Sequence, residues 1–285
     1  ALATLWNLLA GYTGLVSVGQ QAYVGLGGYI TFSLALFLGV HPLLAIPLAG
    51  LVAALVAIPV ASLVFRLAGA YFAIGTWVMA EVFRLIAAQA TALGGGSGIS
   101  LPATVTKELG GKWLREASIF WLALALGAGC LALVYLLLRS RIGLALTAIR
   151  DSEVASTSLG IRIGRVKHVL YVLVAGLTAM IGALISLQKL RVSPDAAFSV
   201  NDWTAFVIFI VVIGGIGTIE GPIIGTIIYF LLREFLADFG TLYLLFLGTL
   251  AIVVMLGAPK GLWGYAAERF GWSLFPVGYR IHFKE

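Results

Sequence analysis

Charge is what this chain has least of. Only 11% of its 285 residues are Asp, Glu, Lys or Arg, whereas a water-soluble domain carries about 25% in order to face solvent. The 12 acids and 18 bases cannot cover a soluble protein of 30.1 kDa, which excludes the one or two aqueous domains that the length would otherwise allow. Cysteine occurs once, as Cys130 inside an apolar run, so a disulfide framework and a thiolate metal cluster are both excluded. The histidines, His41, His168 and His282, are scattered without metal-ligand spacing. No GxxxxGK[ST] loop occurs, so the chain does not hydrolyse ATP by itself. It also lacks a Ser/His/Asp set or a supported pair of carboxylates, and is not expected to be an enzyme. The net charge of +6 does not point to nucleic acid, because the cations lie between apolar runs and form no basic face with interleaved aromatics.

What is abundant is apolar. Hydrophobic residues make up 61% of the chain and the mean hydropathy is +1.07, the profile of an integral membrane protein. A spanning helix needs about 20 mostly apolar residues, and runs on that scale fall near 1–18, 22–39, 42–65, 69–91, 118–138, 166–188, 203–218, 221–238 and 241–257. The fold class is therefore an all-α, polytopic transmembrane helical bundle, a single domain over 1–285 with about nine spans. Glycine is in excess, with 35 residues against about 20 from average usage. It shortens or breaks the first, second, seventh and eighth runs, which could therefore be re-entrant, since broken helices are tolerated where protein or a water-filled cavity satisfies the freed backbone. Ala1 already lies in an apolar run without Met or a basic flank, so at least one N-terminal segment is expected to precede it.

Topology follows from the cations. The polar insert 139–165 and its edge hold Arg139, Arg141, Arg150, Arg162, Arg165 and Lys167, and the positive-inside rule makes that loop cytoplasmic. Alternation outward from it adds Arg66, Lys260, Arg269, Arg280 and Lys284 to the same side. Arg84, Lys107, Lys112, Arg115, Lys189, Arg191 and Arg233 fall on the other. The tail 258–285 is then cytoplasmic, and 92–117 and 189–202 are external.

Within the insert, Leu144, Thr147, Ala148, Asp151 and Ala155 recur at helical spacing. This predicts one short helix over 143–157, lying across the membrane surface and stopped by Gly160. Such a helix is either a rigid contact surface for a cytoplasmic partner or a solvated interfacial helix. Glycine-broken segments recur in the two halves, at Gly11, Gly14, Gly19, Gly25, Gly27 and Gly28, and again at Gly214, Gly215, Gly217, Gly221 and Gly225. Paired breaks point to a solute path, where unwound backbone faces a polar substrate, or to close packing through small residues. Glu81 and Arg84, at i and i+3 in the fourth run, share a face and can pair; an ionisable group there is a candidate site or a register pin. Glu220 suits a helix N-terminus as a cap, and His41 reads as an interfacial residue at a helix start. The loop 94–117 is either a docking surface or a flexible connection.

The run AIRDSEVASTSLGIRIGRVKHVLYVLVAGLTAMIGAL (148–184) resembles the cytoplasmic loop and following helix of the branched-chain amino acid ABC importer permeases, LivM type. GYTGLVSVGQQAYVGLGGY (11–29), GGIGTIEGPIIGTIIY (214–229) and APKGLWG (258–264) resemble the glycine-rich signatures and the ending of the same family, in the expected order over nearly the whole chain. The first signature reads GQQAYVG where relatives often carry a His-containing GHAAF-type stretch. The resemblance implies a permease subunit of an ATP-driven importer for branched-chain amino acids or related small polar solutes, working by alternating access in the bacterial inner membrane. It implies a coupling helix at 143–160, with Ala148, Arg150, Asp151, Glu153, Ala155, Leu159 and Gly160 docking on an ATPase. The candidate translocation path comprises Gln20, Gln21, Tyr23, Gly25, Glu81, Gly214, Gly215 and Gly217. The implied partners are a second homologous permease, two cytoplasmic ATPase subunits, a periplasmic solute-binding protein and membrane lipid, with no nucleic acid. No cofactor is expected on this chain, ATP and Mg being held by the ATPases. The alternative class is an ion-gradient-coupled secondary transporter or channel without ATPase partners, for which Glu81 and the glycine breaks leave room. A membrane-embedded enzyme would need a convergent polar cluster that the sequence does not offer.

Overall fold

Hydrocarbon offers no partner to bare peptide groups, so apolar runs of spanning length must close their backbone bonds within helices. The computed structural model, which describes residues 1–236, 242–258, 260–271 and 274–275, is built of such helices. They are α1 (Leu2–Thr13), α2 (Gln20–Phe37), α3 (Pro42–Val64), α4 (Ala70–Gln89), α5 (Ala103–Glu108), α6 (Lys112–Arg139), α7 (Arg141–Asp151), α8 (Glu153–Ser158), α9 (Ile163–Lys189), α10 (Pro194–Ala197), α11 (Phe206–Gly214), α12 (Glu220–Leu236), α13 (Leu242–Gly257) and α14 (Gly261–Phe270). A π-helical turn, Val200–Ala205, leads into α11. Two short strands, β1 (Ile99–Ser100) and β2 (Arg191–Val192), pair antiparallel with Ile99 opposite Val192. This ribbon ties the loop before α5 to the turn after α9 and marks one end of the bundle; α7 and α8 mark the other.

The polytopic all-α architecture stands. Among the described residues, six stretches are long and apolar enough to cross a membrane: α3, α4, α6, α9, Pro194–Gly214, and one from Leu245 through α14. The runs that fall short are α1, α2 and α12, all glycine-interrupted in the sequence. At 12 residues, α1 reaches about 18 Å against about 30 Å of hydrocarbon. The span expected at 118–138 starts earlier, at Lys112, so the stretch 94–117 divides into 3₁₀ turns, β1, α5 and the start of α6. Much of the tail 258–285, with Arg280, His282 and Lys284, lies outside the described residues, apart from α14 and Leu274–Phe275.

The central span is α9, with α2 and α3 packed against it. Glycine sets the contact with α2: a Cβ on Gly27 would overlap the Ala179 carbonyl, and one on Gly182 would overlap that of Val24. A single apolar cluster runs from Leu5 and Leu8 through Ala57 and Val64 to Tyr171 and Ile181. His41 caps α3 by accepting the Leu43 N–H at 3.3 Å, and Pro42 follows at the first helical position, where its missing N–H costs nothing.

Candidate functional site

The two glycine-rich segments meet. Helix α1 ends at Gly14, with φ of 70°, and the chain 15–19 then returns alongside α1 instead of leaving the bundle. Trp6 Nε1 donates to the Ser17 carbonyl at 2.7 Å, Gln20 Nε2 donates to that of Leu2 at 3.0 Å, and the Val18 N–H donates to Thr76 Oγ1 at 3.0 Å. The unwound backbone thus finds partners inside protein, the condition for irregular chain at membrane depth. As a result α2 starts beside the start of α1, part-way through the bundle.

In the second half, the turn after α11 carries Gly215 at φ 136° and Gly217 at φ 78°. Asn7 of α1 clamps it: the Gly217 N–H donates to Asn7 Oδ1 at 2.8 Å, and Asn7 Nδ2 donates to the Thr218 carbonyl at 2.7 Å. A Cβ on Gly11 would stand 2.5 Å from the Gly217 nitrogen, so the approach of the two turns requires glycine. The halves join again deeper in the bundle. There Thr204, on the π-helical turn, donates through Oγ1 to Gln21 Oε1 and accepts the Gln21 N–H at 3.3 Å. Asn7 and Thr204 escape a reading by motif. The available signal for Asn7 is a lone amide in an otherwise apolar run.

Gln20, Gln21, Tyr23 and Gly25 therefore sit inside the packing and not on an open wall. Tyr23 donates its hydroxyl to Tyr171 at 3.2 Å, and Gly25 faces the Phe198 ring. The cavity among Trp6, Ser17, Gln20, Tyr23, Tyr171 and Thr178 holds about 10 Å³, room for about one water. Gln20 Oε1 and Thr178 Oγ1 have no hydrogen-bond partner there. That cavity is too small for an amino acid. Gly214, Gly215 and Gly217 lie at the α7–α8 end, where Gly214 packs on Gly221 and Gly215 on Gly261. Glu220 does not cap its own helix. Thr218 Oγ1 accepts the Gly221 N–H at 3.0 Å, while the Glu220 carboxylate accepts the N–H groups of Leu274 and Phe275 at 3.1 and 2.8 Å.

Glu81 is elsewhere, on an uncovered face of α4. Arg84 donates to it through Nε and Nη2 at 2.6–3.0 Å and through Nη1 to Asp195 of α10 at 2.7 Å. The Glu81 and Asp195 side chains are 46% and 80% exposed, amid exposed Trp77, Val78, Val82 and Leu85. Charges bare to lipid are costly, so this face belongs against water or another polypeptide.

At the α7–α8 end the expected single helix over 143–157 is two. Ser152 breaks it, accepting the Ala155 N–H at 3.2 Å and so capping α8. The face expected to share Leu144, Thr147, Ala148, Asp151 and Ala155 is accordingly split. Leu146 and Ile149 are the residues that α7 buries, and Leu144 is exposed. Gly160 does stop α8, at φ 81°. Two of the charged groups turn back to the bundle: Arg150 Nη1 donates to the Gly11 carbonyl at 3.5 Å, and Glu153 accepts from Lys167 of α9 at 2.6 Å. Asp151, Ala155, Leu159 and Gly160 are exposed, and Ala148 is half-buried.

A multi-pass helical bundle with two joined broken-helix pairs and latched surface helices defines a membrane permease. Residues 2–255 match the family described as the branched-chain amino acid transport system permease component, and the chain belongs to that family. It is 31% identical over 280 residues to the high-affinity branched-chain amino acid transport system permease protein LivM of Escherichia coli (strain K12), and 30% identical over 279 residues to that of Salmonella typhimurium. Each alignment covers 90% of this chain and 65% of the relative, so the chain spans about two thirds of the length of the curated relatives it matches. No solved structure matches it.

Proposed function

We propose that the chain is the permease subunit of an ATP-driven importer for branched-chain amino acids or related small polar solutes, in a bacterial inner membrane. The observation that carries this reading is the pair of latches at the α7–α8 end. Arg150 connects α7 to the last turn of α1, and the Glu153–Lys167 pair connects α8 to α9, so a load on the surface helices reaches both the broken helix and the central span. This end faces the cytoplasm and two ATPase subunits. Exposed Leu144, Val154 and Leu159 supply apolar anchors, and Asp151 supplies a charge that fixes register. Because Gln20, Gln21, Tyr23 and Gly25 are buried among other helices, the solute path runs along the uncovered face of α4, against a second permease, with solute delivered by a periplasmic binding protein. There Arg84 and Asp195 present a guanidinium and a carboxylate 2.7 Å apart, the charges that a zwitterion exchanges with.

An ion-gradient carrier finds less support, since Glu81 and Glu220 are both engaged by protein donors. Uptake of radiolabelled leucine into proteoliposomes of the whole assembly separates the two readings. It is expected to require ATP inside or outside according to ATPase orientation and to ignore protonophores. Arg84→Gln is expected to lower it at least about tenfold, the value of one charge-assisted hydrogen bond. Uptake driven by an ion gradient without ATP contradicts the proposal.

A further inference from the structure

Outside the sites above, a groove of about 730 Å³ runs on the flank of the bundle, between α3 and α9. Its walls are apolar: Gly50, Ala54 and Ile58 from α3, and Val172, Leu173 and Leu177 from α9. Small residues create it. The helices close at Gly50 and Gly176, where a Cβ on Gly176 would stand 3.0 Å from the Gly50 carbonyl, and the missing side chains leave a trough along the crossing. From Pro47 to Ile58 the trough follows 12 residues of helix, whose 11 rises span about 16 Å, or roughly half the hydrocarbon thickness of about 30 Å. It is one leaflet deep.

The groove is polar at one end only. Towards α7–α8 it reaches His168, which also lines a second cavity of about 620 Å³ with Arg66, Lys167 and Ser62. His168 is held at this junction by Ser62 Oγ at 3.3 Å, the Gly164 carbonyl at 3.2 Å and the Phe65 ring at 4.7 Å. The acid of this cavity, Glu153, is already paired with Lys167 at 2.6 Å. Arg66 is left without an ion-pair partner among the described residues. An apolar trough of leaflet depth that opens onto an unneutralised cation has the chemistry of a lipid, not of a helix from another protein, whose apolar face would strand that charge. Basic pockets between spanning helices on the cytoplasmic side are where anionic headgroups bind.

We propose that this groove is a binding site for an anionic phospholipid of the α7–α8 leaflet, with one acyl chain along α3 and α9 and the phosphate at Arg66 and His168. The site stands on the groove and does not depend on the solute or on the ATPase partners. Because Glu153 and Lys167 share the headgroup cavity, a bound lipid would brace α8 against α9.

Native mass spectrometry of the purified full chain, titrated with dioleoyl phosphatidylglycerol or dioleoyl phosphatidylcholine, tests it. Phosphatidylglycerol adducts are expected to be retained about fivefold better than phosphatidylcholine adducts, the effect of one cation beside an anionic headgroup. Arg66→Gln, on the exposed surface, is expected to erase that preference. Ala54→Phe, which fills the trough, is expected to lose both adducts, while Arg269→Gln on α14 changes neither. Equal retention of the two lipids by the parent chain overturns the proposal, as does a preference that survives Arg66→Gln. A groove filled by a second permease in the assembled complex, seen as loss of the adduct on assembly, also overturns it.

Discussion

Asp151→Arg and Gly160→Pro are each expected to abolish ATP-driven uptake while leaving the amount of folded protein in the membrane unchanged. Asp151 has a 69% exposed side chain and pairs only with its neighbour Arg150, at 3.1 Å. An exposed pair of that kind contributes about 0–1 kcal/mol to stability, so the fold tolerates the reversal. At a docked surface the same change sets like charges together, which costs several kcal/mol; a loss of about 3 kcal/mol lowers ATPase affinity roughly a hundredfold. Gly160 acts through the backbone. Its φ of 81° is closed to proline, which is locked near −65°, and its N–H, donated to the Thr157 carbonyl at 2.9 Å, would be lost. No other atom lies within 4 Å of a Cβ added there, so the damage stays in the link between α8 and α9. Measuring uptake beside the yield of monodisperse protein checks both halves of the expectation, and normal uptake in either variant removes the coupling role from α7–α8.

Gly27→Leu and Gly225→Leu are expected to prevent folding where Gly127→Leu is silent. All three glycines lie in apolar helices, so composition and propensity do not separate them. Their surroundings do. The Cβ of a residue at 27 would overlap the Ala179 carbonyl, and one at 225 would overlap the Ile210 carbonyl, whereas at 127 on α6 nothing lies within 4 Å. A carbonyl within a helix cannot move aside as a side-chain tip can, so the helices themselves must part. That opens the α2–α9 or the α11–α12 contact, at a cost at the upper end of the about 1–3 kcal/mol of overpacking. Size-exclusion profiles and thermal melts in detergent are the readout. Aggregation or loss of protein is expected for the first two variants and a parental melt for the third. A parental melt in Gly27→Leu contradicts the packing described here.

The elements legible in the sequence were those whose hydrophobicity is their whole reason for being helical. The runs at 42–65, 69–91 and 166–188 became α3, α4 and α9 within a few residues; of the four glycine-interrupted runs, the first, second and eighth fall short of a span, while the seventh reaches one once Pro194–Ala205 is joined to α11. The Glu81–Arg84 pair followed from spacing alone, but its third member, Asp195, comes from 111 residues away, beyond any local pattern. The same distance hides Asn7, whose partners are 210 and 211 residues along, and Thr204, which meets Gln21 from a π-helical turn with no composition of its own. The surface helix was read as one segment where there are two. The spacing predicted one continuous helix over 143–157, but Ser152 stops it and caps a new one, a signal that Ser followed by Glu153 does carry. The ribbon of β1 and β2 is two residues per strand, too short for any alternation to show.

The central claim is that α7 and α8 join this permease to an ATP-hydrolysing partner. Extraction of the full-length tagged protein from its native membrane in mild detergent, followed by intact-mass identification of the chains that accompany it, tests that claim most directly. Two P-loop ATPases and a second permease are the expected companions, with the ATPases released by Asp151→Arg and the second permease retained. A permease that purifies without any ATPase, yet moves leucine in vesicles on an ion gradient alone, would contradict it.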